Sequence, residues 1–430
     1  MPCKKLSIFA RHFSFITYTT FMTKRQKNGL ILILGIIAAL GPFTIDMYLP
    51  GFTAIAKDFN VETSELSYTL TSYFIGICVG QLIYGPILDR VGRKKPLLFG
   101  LGLYLIGSIG CSMADGVTSL VWLRLLQALG GCVGMVASRA IVRDRFDDHE
   151  IADVFSTLML VMGAAPILAP TVGGYIISHF GWRTIFILLS CFSGLLILLA
   201  TFFLKESKAP DKAVSYKLST ITGNYIKVLK NSDFLMYGLA GSISMGALFT
   251  YIAAAPPVLM DQYHLEPKTF GIIFGCNAAA FIGGSQINRL FLKYWNEKDI
   301  TYVCAWIFLV VSALLFAFTA TGMLNLPLLL ASLFIILLTL GVINPNSSAL
   351  ALVPFTKMAG VASALIGSYR MLAGAVTSGV VALLANGTEM PMVAIILISA
   401  VIVFFALFAK RRGDVKRSQE EVELKEMAKA

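Results

Sequence analysis

Apolar residues in this chain fall into long continuous runs separated by short charged or Gly/Pro-containing breaks. About twelve such runs are present, at residues 28–50, 65–86, 96–114, 118–141, 151–177, 182–204, 233–258, 269–292, 300–321, 326–352, 360–386 and 390–410. A helix needs ~20 mostly apolar residues to cross the hydrocarbon of a bilayer. Backbone polar groups at that depth must be satisfied within the segment, which favours helices. The pattern predicts an all-α membrane protein with about twelve transmembrane helices. The stretch 205–232 is polar, lysine-rich and contains Pro210, and it divides six helices from six. The expected organisation is an N-terminal segment 1–27, a six-helix bundle 28–204, a central loop 205–232, a second bundle 233–410 and a tail 411–430.

Composition agrees. The 430 residues are 57% hydrophobic and 14% charged, against ~25% charged in soluble domains. The net charge of +11 does not imply nucleic acid, because the basic residues fall on one side of the predicted spans. Lys24, Arg25, Lys27, the Arg90–Lys95 stretch, Arg143, Arg145, Lys205, Lys208 and the residues from Lys410 onward share that side. The other side has little beyond Lys57, Arg183 and Lys268. The positive-inside bias puts both termini in the cytoplasm, and anionic inner-leaflet lipid accounts for the excess. Residues 1–21 do not read as a signal peptide, since Arg11 and His12 interrupt any apolar core. Met22 is the expected start. Scattered cysteines without C-x-x-C, and four histidines in loops and tails, predict neither a disulfide framework nor a metal site. With no G-x-x-x-x-G-K-[ST] there is no P-loop nucleotide site. No cofactor and no enzymatic activity are expected. Residues 411–430 are too few for a receptor's sensor domain. Any vectorial work by this chain is expected to be driven by an ion gradient, and a monomer is expected.

Ionisable residues inside the spans are the candidate machinery, because they are costly there unless they face a cavity or a partner. Asp46 lies near the outer end of the first span and Arg124 at similar depth in the fourth, so the two are expected to neutralise one another, either as a proton-coupling site or as a static buried pair that fixes the bundle, with the coupling role preferred. Gln127, at i+3 from Arg124, shares its face. Arg370 stands midway along the eleventh span with no acid in its bundle at that depth. It either attracts an anionic substrate, forms a second polar switch, or bonds carbonyls structurally. Phe43, Tyr48, Tyr73, Met245, Phe249, Tyr251 and Met371 offer an adaptable apolar pocket, with Tyr48 and Tyr251 joining Gln127 and Arg370 as the substrate-binding candidates. Asn344-Pro345-Asn346 breaks the tenth helix near its inner end. Arg139 and Arg143, i and i+4, are expected to anchor the fourth helix to headgroups and to Asp144. In the loop Gly85–Lys95, Asp89 is expected to latch against the positive amino end of the eleventh helix near Ala359, with Arg90 and Arg93 beside it, the alternative being a solvated charged turn that only sets topology. Gly284, Asn288, Arg289 and Lys293 repeat the spacing of that loop in the second half.

The loop pattern G-x-x-x-D-R-x-G-R-K-K, from Gly85 to Lys95, resembles the signature between helices two and three of the major facilitator superfamily. That resemblance implies two six-helix bundles related as a parallel repeat. The segment Gly163 to Gly174, with Pro166, Pro170, Gly173 and Gly174, resembles the fifth-helix motif typical of antiporters in that superfamily. It would gate by packing on Gly271, Gly275, Gly283 and Gly284 of the eighth span. Asp46-Met47-Tyr48-Leu49-Pro50 and Arg139 to Asp144 resemble the Bcr/CflA branch of drug:proton antiporters. By that resemblance the chain sits in a bacterial inner membrane and exports small amphiphiles, of the bicyclomycin or chloramphenicol type, in exchange for protons. A facilitator-type importer or exporter of one metabolite is the competing reading. The chain departs from the pattern at Ala128, where glycine is usual, and at Arg370, where a neutral polar residue is common.

Overall fold

The computed structural model describes residues 23–210, 218–355 and 358–427; Met22 and the segment before it lie outside them. The helices are α1 Lys24–Asp46, α2 Phe52–Phe59, α3 Ser67–Val91, α4 Lys94–Ser112, α5 Val117–Arg145, α6 Asp148–Phe180, α7 Arg183–Phe203, α8 Leu218–Leu229, α9 Ser232–Pro256, α10 Pro267–Phe291, α11 Glu297–Ala320, α12 Leu326–Leu352, α13 Ala359–Leu384 and α14 Met390–Met427. Among the described residues, twelve spans are long and apolar enough to cross a membrane. The first includes α1 and α2.

Local chemistry sets the ends. Thr23 and Gln26 form a reciprocal capping box at the start of α1, satisfying amide groups the first turn leaves unpaired. Asn231, Asn296 and Asn325 cap α9, α11 and α12. α1 stops at Asp46, four residues before Pro50. Pro50 has no N–H to give the Asp46 carbonyl, and its ring would clash with it.

Each half packs six spans together, and two seams join the halves: α3 against α13, and α6 against α10. In the first half α3 and α4 pack on α5, and α1 packs on α6. Ala128 sits in this core. A Cβ on Gly76 of α3 would stand 2.6 Å from the Ala128 Cβ, so the methyl that departs from the family pattern occupies the space Gly76 leaves. The central segment is not a loop throughout. α8 packs on α9 and α13, and its Tyr225 hydroxyl donates to the Leu82 carbonyl of α3 at 3.3 Å.

Candidate functional site

Arg124 is fully buried and held by the first half alone. Its Nη1 donates to Gln127 Oε1 at 2.8 Å and to the Thr44 carbonyl at 3.3 Å. That carbonyl belongs to the last turn of α1, whose acceptors have no intrahelical partner. The guanidinium lies over the rings of Tyr73 at 4.4 Å and Tyr48 at 4.6 Å, contacts that are strongest where water is absent. Gln127 Nε2 donates to Ser108 Oγ at 2.8 Å, and the Tyr48 hydroxyl bonds Thr69 at 3.0 Å. Tyr48 and Gln127 therefore enclose Arg124 and do not line an open cavity, contrary to their expected contact with substrate. Both are fully covered by α3, α4 and α7 side chains, including Phe186 at 5.5 Å from the Tyr48 ring.

The expected Asp46–Arg124 ion pair is not formed. Among the described residues Asp46, 4% exposed, makes no hydrogen bond or ion pair. Thr44 points into the first bundle, where its hydroxyl meets Tyr104 at 2.6 Å. Two residues further along a helix turn a side chain by about 200°, which carries Asp46 toward the second half. There it lies within electrostatic reach of Tyr251. Tyr251 of α9 is buried, accepts from Asn277 Nδ2 of α10 at 3.0 Å and stacks on Phe274 at 5.4 Å. Equal depth identified the pair by sequence, but depth does not fix the direction around each helix.

At the end of the molecule that carries the α3–α4 turn, Arg93 organises a charge network. Its guanidinium bonds Asp89 at 2.8 Å and Asp144 at 2.8 and 3.4 Å. Burial alone would lower its pKa, but these two carboxylates hold it above its ordinary value. Asp144 also accepts from Ser207 at 2.9 Å. Asp144 is thus engaged by Arg93, and the expected Arg143–Asp144 anchor is not seen. Glu206, which the sequence did not single out, accepts from the amides of Arg93 at 2.6 Å and Lys94 at 3.2 Å. A carboxylate there offsets the positive amino end of α4. Gly92 makes this possible: its φ is +97°, and a Cβ would stand 2.8 Å from Glu206 Oε2. The Arg145 guanidinium closes the network on the Glu206 carbonyl at 2.7 Å.

Among the described residues Asp89 makes no hydrogen bond to the amino end of α13. Both instead line a cavity of about 500 Å³ that opens at this end, between α3, α5, α8 and α13. Gln81, Arg139, Arg143 and Ser363 also face it. The aromatic and methionine set expected to form a pocket does not line this cavity. Phe249, for instance, packs on Phe74 at 4.3 Å.

Arg370 bonds α12: its Nη2 donates to the Asn344 carbonyl at 3.2 Å and to Ser348 Oγ, beside Pro345. The carbonyl-bonding role is the one the geometry displays, and its Nε remains buried without a partner. Asn288, the counterpart of Asp89 in the decayed repeat, exchanges hydrogen bonds with Asn346 at 2.7 and 3.0 Å. The second half thus replaces the charged network with a neutral amide pair.

The α6–α10 seam is backbone against backbone. Cβ atoms on Gly271, Gly275 and Gly174 would meet the carbonyls of Pro170 at 2.9 Å, Ile167 at 3.1 Å and Pro267 at 2.8 Å. Gly173 lies against the Met47 carbonyl. Pro166 and Pro170 both lie inside α6. Two of the four glycines expected on α10 behave otherwise: Gly284 packs on Leu338 of α12, and Gly283 faces open space. At the same far end Ser67 Oγ donates to the Ala253 carbonyl at 3.1 Å, joining the halves. On the other seam, Thr71 bonds Ser378 at 2.8 Å and Ser368 donates to the Cys78 carbonyl at 3.1 Å. The arrangement is closed at the far end and open at the basic end.

Comparison with known proteins fits this geometry. The Major Facilitator Superfamily model matches residues 34–378. The "Uncharacterized MFS-type transporter YdgK" of Bacillus subtilis (strain 168) is 36% identical, over 91% of this chain and 98% of that protein. A bicyclomycin resistance protein homolog of Haemophilus influenzae is 34% identical over 86% of this chain and 93% of its own length. Multidrug resistance protein D of Escherichia coli (strain K12) is 26% identical over 84% and 90%. A bacterial homolog to the human lysosomal transporter Spinster, solved in an inward-facing and occupied conformation, shares the fold. Its TM-score is 0.71 at 13% identity, over 90% of this chain and 97% of that one.

Proposed function

The chain belongs to the Major Facilitator Superfamily and is a membrane transporter, and from that premise we propose that it is a proton-coupled antiporter exporting small amphiphilic molecules across a bacterial inner membrane. The observation that carries the reading is Asp46, a buried carboxyl without a partner beside the interface of the halves. A lone carboxylate at membrane depth is expensive, and a bound proton removes the charge. Arg124 ties this event to the fold. It holds the Thr44 carbonyl, two residues before Asp46, so protonation changes the load on the end of α1 next to the far-end closure. In this reading Tyr48 and Gln127 position Arg124, while Tyr251 and Arg370, held in this state by Asn277 and by Asn344 and Ser348, become the second half's substrate contacts when the halves move. The positive-inside bias assigns the basic end and both termini to the cytoplasm. The cavity then receives cargo from inside. Asp89, Arg90 and Arg93 gate the cytoplasmic end, and Pro166, Pro170, Gly173 and Gly174 gate the other. Relatives named for bicyclomycin and multidrug resistance support an amphiphilic cargo.

Everted vesicles containing the chain test this. Acidifying their interior should drive uptake of at least one member of a mixed amphiphile panel that includes bicyclomycin. Uptake that persists after the pH gradient is collapsed, or none for any member, would overturn the proposal. Flux in the import direction would favour the metabolite-carrier alternative.

A further inference from the structure

The cavity at the basic end has an uneven charge inventory. Its acids are already engaged: Asp144 by Arg93 and Ser207, and Asp89 by Arg93 at 2.8 Å with Lys208 at 3.9 Å. Two of its bases are not. Among the described residues neither Arg139 nor Arg143 has a hydrogen-bond or ion-pair partner, although both face the cavity. Arg139 is the deeper of the two and half-buried, one helical turn in from exposed Arg143. Its charge is felt by Arg143 on one side and by Arg370 on the other. Arg139 and Arg143 thus face the cavity with no acid among its described lining left to neutralise them, and Arg370 of α13, bonded to α12, lies within electrostatic reach of Arg139. A half-buried arginine without a counter-ion is costly, and a planar fork of donors suits a carboxylate, phosphate or sulfonate. Around the cations, Leu88, Val136, Val361 and Ala364 supply apolar walls. A volume of about 500 Å³ suits a drug-sized body.

We propose that this cavity recognises an anionic amphiphile, with Arg139 holding the acidic group, Arg143 drawing it in and Arg370 next in line as it moves deeper. The assignment rests on the antiport reading only for the direction of transport, because recognition is an equilibrium property. The same anion chemistry could be supplied by a phospholipid headgroup; the proposal commits to the soluble cargo.

The test is equilibrium binding to the full chain in nanodiscs of zwitterionic phosphatidylcholine, with three probes sharing one fluorescent body: dansylglycine, dansylglycinamide and dansyl-ethylenediamine. The carboxylate probe should bind about tenfold or more tightly than the amide, with the ammonium probe weakest. Arg139→Gln should remove that advantage, and Arg139→Lys should restore part of it. Adding anionic phosphatidylglycerol should leave the affinity for dansylglycine unchanged. Equal binding of the three probes, tightest binding of the cation, no binding of dansylglycine at millimolar concentration, or a preference surviving Arg139→Gln would each overturn the proposal. Competition by phosphatidylglycerol would reassign the site to lipid. Because no gradient is involved, failure here leaves proton-driven exchange standing. Loss of pH-driven uptake with the binding preference intact would sink antiport alone.

Discussion

Arg93→Gln should be the most damaging single change in the basic-end network, and the structure sets the order of its partners. Arg93 is 6% exposed in its side chain, Asp144 16% and Asp89 48%. Removing one member of a buried pair costs about 3–5 kcal/mol because a charge is left behind, whereas exposed pairs contribute about 0–1 kcal/mol. Arg93→Gln strands Asp144 and releases Asp89, so about 3 kcal/mol is expected. Asp144→Asn keeps an oxygen for Ser207 but leaves Arg93 with its exposed partner alone, for about 2 kcal/mol. Asp89→Asn should cost under about 1 kcal/mol. A thiol-reactive fluorogenic dye reports unfolding through the buried Cys111, Cys132 and Cys304. Melting midpoints should fall in the order Arg93→Gln, Asp144→Asn, Asp89→Asn, with the last close to the parent. An Asp89→Asn midpoint as low as that of Arg93→Gln would refute the reasoning and return the weight to the loop acid.

Three other perturbations address separate parts of the fold. Tyr48→Phe removes only the bond to Thr69 and keeps the ring under Arg124, so it should cost about 0.5–1.5 kcal/mol and leave the breadth of a resistance profile unchanged; a narrowed profile at normal abundance would place Tyr48 in contact with cargo. Gly271→Leu forces side-chain atoms into the Pro170–Thr171 backbone, a strain of about 1–3 kcal/mol, and should raise far-side labelling of a cysteine placed at buried Ala253; unchanged labelling would mean the seam does not hold that end shut. Asn288→Ala leaves Asn346 unpaired and should cost about 1–3 kcal/mol, with Asn346→Ala in the same chain adding little; fully additive losses in melting midpoint would show that the pair is not a unit.

The spans were legible because lipid demands long apolar runs, and each expected run lies within or close to an observed helix. The break after Asp46 is legible in Pro50, although the apolar run itself continues to residue 50. α8 was missed because its 12 residues are too few to cross a membrane and sit in a lysine-rich stretch; Ile221, Tyr225 and Val228 at helical spacing were the available signal. The seam glycines Gly174, Gly271 and Gly275 are legible as small residues in membrane helices, which mark close approach, but Gly173, Gly283 and Gly284 look the same in sequence and lie off the seam. The charged groups were found, but not all their partners. Which way Asp46 and Arg139 point depends on helix rotation and on which acids are already taken. Glu206 and Ser207 decide the second question from a segment remote in sequence. Asn288 kept its place in the repeat while exchanging a charge for an amide, a change whose partner, Asn346, only tertiary packing reveals.

The most direct measurement of the proton-coupling claim compares two kinds of flux through Asp46→Asn in proteoliposomes. Exchange of labelled for unlabelled substrate needs the fold and the cavity but no net proton movement. Uptake against a concentration gradient, driven by an imposed pH difference, needs a group that binds and releases the proton. The account predicts that Asp46→Asn retains exchange and loses pH-driven accumulation. Accumulation at the parent's rate in Asp46→Asn would contradict it and move the coupling site elsewhere.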